Sequence, residues 1–174
     1  MKKITLYPPR LAALMLLPIS SAVFSAPPEL VKPHELIVES HTSSAHVTAL
    51  ETVARRYATF WNTGDEALAR EALADNFVDK TPPEGRKQGP EGALLASRAF
   101  RSAVPDLRCE VEQMIVAGDR VVSHLHFRGH FTGTFGKLKG KGQQVDFIAT
   151  DIYQVRNNKI IANWHLEDNQ IGRA

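Results

Sequence analysis

Between Val47 and Trp61 the apolar residues Val47, Leu50, Val53, Ala54, Tyr57 and Trp61 recur in steps of three and four. That period places them on one face of an amphipathic helix, and Gly64 is positioned to end it. Asp65 can cap a second, shorter helix carrying Leu68, Ala69, Ala72 and Leu73. After Phe77 and Val78 the run "TPPEGRKQGPEG" breaks the pattern into turns. A third helix is predicted to begin near Pro90, which suits a first helical turn, and to end before Pro105.

Beyond Pro105 the period changes to two. Leu107, Cys109, Val111, Gln113 and Ile115 line one face of a strand that runs to the Gly118-Asp119 turn. "RVVSHLHFRGHFTGTF" reads as a long second strand, "VDFIATDIYQV" as a third and "KIIANWHL" as a fourth. Three helices followed by a strand meander predict an α+β domain, with the helices gathered on one face of a curved antiparallel sheet. A strongly bent sheet of that kind leaves a pocket between its two layers.

The segment before the first helix has a different texture. Lys2, Lys3 and Arg10 precede an apolar run from Leu11 to Phe24, and the small residues Ser25 and Ala26 follow. This is the layout of a secretory signal peptide over residues 1–25, with an apolar run too short for a comfortable membrane span. The expectation is a periplasmic or secreted protein with no membrane association after cleavage. Residues 26–46, rich in Pro, His, Glu and Ser, read as a linker or loosely docked N-terminal arm, and residues 47–174 as the domain. The leader also changes the charge argument. The chain has 21 Lys+Arg against 19 Asp+Glu, and removing the three leader cations leaves 18 against 19. A near-neutral mature protein gives no reason to expect nucleic acid as a partner. Cys109 is the only cysteine, so no intramolecular disulfide can form and the fold must rely on its core.

Several stretches in this order, "ATFWNTGDEALAREALADNFVD", "GPEG", "AGDRVV", "GHFTG" and "VDFIATDIYQVRNNKIIANW", resemble the SnoaL-like polyketide cyclase and predicted ester cyclase family of the nuclear-transport-factor-two-like superfamily. The resemblance spans roughly residues 47 to 170. It implies a cone-shaped α+β barrel enclosing an apolar cavity, dimers through the outer sheet face, and an acidic acid/base residue on the last strand of true cyclases. At that last position, after Trp164, this chain carries His165. Phe131 stands where a His is common in the long strand, and Lys80 stands where a His often follows Val-Asp.

Strand geometry decides which polar groups meet near His165. If Arg156, Asn157 and Asn158 form a three-residue bulged loop, Asp151 lies opposite Asn163 and diagonal to His165. If Asn157 and Asn158 alone form the turn, Asp151 faces Trp164. The bulged closure is favoured because it puts Phe147, Tyr153, Ile161 and His165 on one face, a mostly apolar lining with a few polar groups. A carboxylate beside His165 would orient the ring, raise its pKa and make His165 and Asp151 a candidate catalytic pair. Tyr57, Trp61 and Asn163 are candidate donors or ligand-positioning groups, with Tyr153 and Phe131 as further ligand contacts. The competing account is a structural hydrogen-bonded pair at the cavity edge.

The three histidines of the long strand invite a metal reading that their spacing defeats. His124 and His130 are on the order of 20 Å apart along a strand rising about 3.3 Å per residue. One ion with bonds of about 2 Å cannot bridge them. Val121, Leu125, Phe127 and Phe131 face the opposite way, so the histidines are expected on the outer face. That face, around His124, His126 and Arg128, is the expected homodimer surface. Lys137, Lys139 and Lys141 read as a solvated hairpin tip. The function these residues suggest is a cavity for a small apolar or carbonyl-bearing molecule, with no cofactor and no metal. Its chemistry would be acid/base: aldol-type cyclisation, isomerisation or hydration. The alternative is a binding module of the same fold without turnover.

Overall fold

The computed structural model describes residues 28–168, and the expected signal peptide over 1–25 lies outside the described residues. Helix α1 (Ser44–Thr63) is capped by Ser43, whose side chain accepts from the His46 N–H, and it buries Leu50, Val53, Ala54 and Tyr57. Gly64 ends it in the left-handed conformation (φ 80°), where the Gly64 N–H returns to the Phe60 carbonyl. Asp65 caps α2 (Glu66–Ala72) by accepting from the Ala67 N–H. Helix α3 spans Pro90–Ala103, with Pro90 in its first turn.

The meander is present as β3 (Arg108–Ala117), β4 (Arg120–Phe131), β7 (Gln143–Arg156) and β8 (Lys159–Glu167), each antiparallel to the next. Between β4 and β7 a small separate hairpin forms from β5 (Thr134–Phe135) and β6 (Leu138–Lys139). Its base is pinned where the Thr132 and Gly133 N–H groups both donate to the Ala103 carbonyl. The chain passes so close there that a Cβ at Gly133 would lie 1.9 Å from the Ser102 carbonyl oxygen. The docked hairpin brings Phe135 edge-on to Phe100 of α3, with centroids 6.2 Å apart.

Two edge strands, both paired in parallel, extend the expected antiparallel sheet. The sheet order is β1-β3-β4-β7-β8-β2, with β1 (Pro33–Val38) parallel to β3 and β2 (Leu73–Asp79) parallel to β8. The α+β architecture therefore stands, on a six-stranded, largely antiparallel but mixed sheet. Strand β1 falls inside the segment read as linker or arm. Its residues are mostly exposed, so no alternation betrays it, and it is held through its backbone. Just before it, Arg55 donates to the Leu30 and Val31 carbonyls and the Val31 N–H donates to the Thr59 hydroxyl. Strand β2 was hidden for another reason. Leu73 pairs with Ile160 but Val78 already pairs with Ala162, so the chain between them bulges and breaks the period of two.

The β7–β8 hairpin closes by the second of the two expected turns, not by the favoured three-residue loop, but with a register that neither closure gave. Asn157 (φ 51°) and Asn158 (φ 56°) form a two-residue turn, with Arg156 paired to Lys159. One residue further in, Val155 pairs with Ile160 and Gln154 with Ala162, so Ile161 is an extra residue on β8. That bulge reverses the parity set by the turn. It places Asp151 directly opposite His165 and Tyr153 opposite Asn163. It also removes Ile161 from the expected lining face, to a separate groove beside Leu73 and Arg156.

Candidate functional site

Between the helices and the sheet lies a cavity of about 440 Å³. One end is aromatic: Phe127 and Phe147 stack with centroids 5.0 Å apart, and Trp61, Phe100 and Phe135 meet them or each other edge-on. The other end is polar, formed by Tyr57, Asp79, Asp151, Asn163, His165 and Glu167. Strand alternation explains the second set. Asp151 is inward on β7 between Phe147 and Tyr153, and its register partner His165 shares a face of β8 with Asn163 and Glu167.

Asp151 is 2 % exposed and is saturated with donors. Its Oδ1 accepts from Asn163 Nδ2 at 2.7 Å and His165 Nδ1 at 2.8 Å, and its Oδ2 accepts from Tyr153 Oη at 2.8 Å. The other ring nitrogen, His165 Nε2, lies 3.3 Å from Glu167 Oε2. A ring with a carboxylate at each nitrogen is held as an imidazolium, donating at both ends. Burial alone would lower the His165 pKa. The hydrogen bonds to Asp151 and Glu167, and then their charges, outweigh it and raise the value to about 10. The His165 main chain is held as firmly: Thr81 Oγ1 accepts from the His165 N–H at 2.7 Å and donates to its carbonyl at 2.9 Å.

The expected residues separate into three groups. His165, Asp151, Asn163, Tyr57 and Trp61 all line the cavity. Tyr57 is buried, and burial, followed by the Asp151 charge, pushes its hydroxyl well above its ordinary pKa, so it stays a donor. Tyr153 is not a cavity contact. It is fully buried behind Asp151, with its hydroxyl spent on that carboxylate. Phe131 is also buried but lies away from the cavity at the far end of β4, where its carbonyl accepts from the Gly142 N–H.

The histidines of β4 point outward, as the alternation predicted. His124 meets the Thr150 hydroxyl, His126 meets Asp146 and His130 meets Asp106. Further polar cavity residues, among them Glu167, Asp79 and Arg86, were not assigned to the cavity by sequence reasoning. Glu167 was legible, since residues two apart on a strand share a face. Asp79 and Arg86 were not, because they belong to a bulged strand and to the turn-rich segment after it.

The model of the SnoaL-like polyketide cyclase family matches residues 51–171. A solved protein from Bacillus cereus ATCC 10987, provisionally named a polyketide cyclase, is 37 % identical, with 80 % of this chain and 88 % of that chain covered and a TM-score of 0.73. TsrD from Streptomyces laurentii is 23 % identical, covering 74 % and 92 % at a TM-score of 0.63. IdmH from Streptomyces antibioticus, also provisionally named a polyketide cyclase, is 22 % identical, covering 68 % and 91 % at 0.62. The last two likenesses show the fold alone. No curated protein matches the chain. The family match over most of the domain, on a three-helix, six-stranded cone with its cavity in place, shows that the chain belongs to the SnoaL-like polyketide cyclase family.

Proposed function

We propose that the protein is a cofactor-independent acid/base catalyst acting on an apolar, carbonyl-bearing molecule. The observation that carries this reading is an imidazole set between two carboxylates in the wall of a largely aromatic cavity. A carbonyl oxygen at the polar end would accept hydrogen bonds from Tyr57 and from His165 Nε2–H, which would exchange its long 3.3 Å contact with Glu167 for the substrate. Loss of a proton from the neighbouring carbon would then give an enolate whose charge those donors stabilise. Attack of the enolate on a second carbonyl is aldol-type cyclisation, and reprotonation at another carbon is isomerisation. Asp151 does not take up the substrate proton in this scheme, since its three hydrogen bonds commit it to holding the ring.

Exchange of the α-protons of 2-tetralone in D₂O, followed by mass spectrometry, tests the reading with a simple bicyclic ketone. The wild-type protein should exceed buffer by at least about 100-fold, the usual scale of acid/base catalysis. Binding of the ketone without exchange would instead favour the non-catalytic binding module.

The reading includes export to the periplasm or medium, and a homodimer through the outer sheet face around His124, His126 and Arg128. Apolar surface beside those residues supports the dimer: Ile148 is 45 %, Ile152 39 % and Leu166 77 % exposed. Light scattering at micromolar concentration should give twice the chain mass, and a monomer would contradict this part of the proposal.

A further inference from the structure

The chemistry proposed above requires a base, and His165 is poorly placed to be one. Both its ring nitrogens already donate to carboxylates. Of the carboxylates at the polar end, Asp151 carries three hydrogen bonds and Glu167 faces His165 Nε2. Asp79 differs from both. It is inward-facing at the end of β2, 8 % exposed, and lines the cavity. Its Oδ1 accepts from the Thr81 N–H at 3.0 Å, which orients the group. Among the described residues its Oδ2 accepts no hydrogen bond and has only the Arg86 guanidinium near it, at 3.6 Å, beyond hydrogen-bond reach.

Position supports the same assignment. Asp79 is the register partner of Asn163, two residues from His165 on the same face of β8. Thr81 ties the two ends together, since its N–H holds the Asp79 carboxylate while its hydroxyl holds the His165 main chain. Gln88 fixes the strand end, taking the Asp79 N–H on its side-chain oxygen and donating to the Asp79 carbonyl, both at 2.9 Å. A carboxylate and an imidazolium thus flank one stretch of cavity wall on a rigid frame.

We propose that Asp79 is the catalytic base that works opposite His165, an assignment that rests on the acid/base reading of the cavity. In the step, the C–H bond next to the carbonyl breaks and its proton moves to Asp79 Oδ2. The electron pair passes to the carbonyl oxygen as an enolate, which Tyr57 and the His165 Nε2–H, exchanged from its long contact with Glu167, hold by hydrogen bonds. The proton returns from Asp79 to carbon in the second half of the reaction, so no oxidant, metal or co-reactant is consumed.

The 2-tetralone exchange assay separates the outcomes. Asp79→Asn, which keeps the shape and the bond from the Thr81 N–H, should cut kcat for exchange by at least about 100-fold with KM changed only a few-fold. Asp79→Ala should be equally slow, and added formate should restore part of its rate by standing in for the lost carboxylate. Exchange by Asp79→Asn within threefold of wild type would overturn the assignment, and so would a slow Asp79→Ala that formate does not rescue. A wild type with no exchange above buffer would remove the acid/base reading itself, and this proposal with it.

Discussion

Asp151→Ala is expected to destabilise the protein by about 3 to 5 kcal/mol, the usual cost of removing one partner from a buried charged network. The substitution takes away the acceptor of three groups at once: the Tyr153 hydroxyl, the Asn163 amide and His165 Nδ1–H. Tyr153 is fully buried and Asn163 5 % exposed, so neither can turn to bulk water for a replacement. The Ser123 hydroxyl, across from Asp151 on β4, is also buried and has no hydrogen-bond partner among the described residues. In a domain of this size each kcal/mol moves the melting temperature by about 2 to 4 °C, so a fall of roughly 6 to 20 °C should appear in thermal unfolding followed by circular dichroism. Asp151→Asn should cost less, because one oxygen remains to accept, but its new N–H₂ confronts donors and it cannot balance the imidazolium.

The second large effect belongs to His165→Asn. An amide preserves hydrogen bonding but cannot carry a proton or a positive charge, so 2-tetralone exchange should fall by about 100- to 1000-fold, as when an oxyanion donor is removed. The same variant exposes a pH dependence of stability. The folded protein holds the His165 proton up to about pH 10, whereas an unfolded imidazole releases it near its ordinary value of 6.5. The stabilisation is complete below about pH 6.5, declines as pH rises, and is gone above about pH 10. Wild-type unfolding free energy should drop by roughly 2 to 5 kcal/mol across that window, at about 1.4 kcal/mol per pH unit. Buried Cys109 also favours its protonated form in the folded protein and adds to the decline at the alkaline end. Subtracting the His165→Asn profile isolates the histidine, and equal slopes in the two proteins would contradict the assignment.

The helices and most of the central meander were legible because their apolar residues repeat with the period of the element they form; in β3 a bulge after Val111 breaks the expected face, so Met114 and Val116 are buried in place of Gln113 and Ile115. Val47 to Trp61 could hardly be anything but a helix, and the odd positions of β7 from Val145 to Val155 are all buried as a period of two requires. The edge strands lack that signal. β1 is held by backbone bonds and leaves its side chains in solvent, and β2 bulges between Leu73 and Val78. The pairing of Asp151 with His165 was half legible. Parity put them on one face, but direct opposition depended on an extra residue at Ile161, which no turn rule at Asn157-Asn158 foretells. Asp79 and Thr81 escaped notice because their roles arise only when the chain after β2 folds back along β8, a contact between residues 84 positions apart.

The central claim is that the cavity wall carries a charged imidazole, and nuclear magnetic resonance of the ¹⁵N-labelled protein measures this directly. Following the His165 ring nitrogens through a pH titration should show both protonated at pH 8, with the midpoint near 10 and moved downward in Asp151→Asn. A midpoint near 6.5 that Asp151→Asn leaves in place would show an ordinary histidine, and would contradict the account of this site as a poised acid.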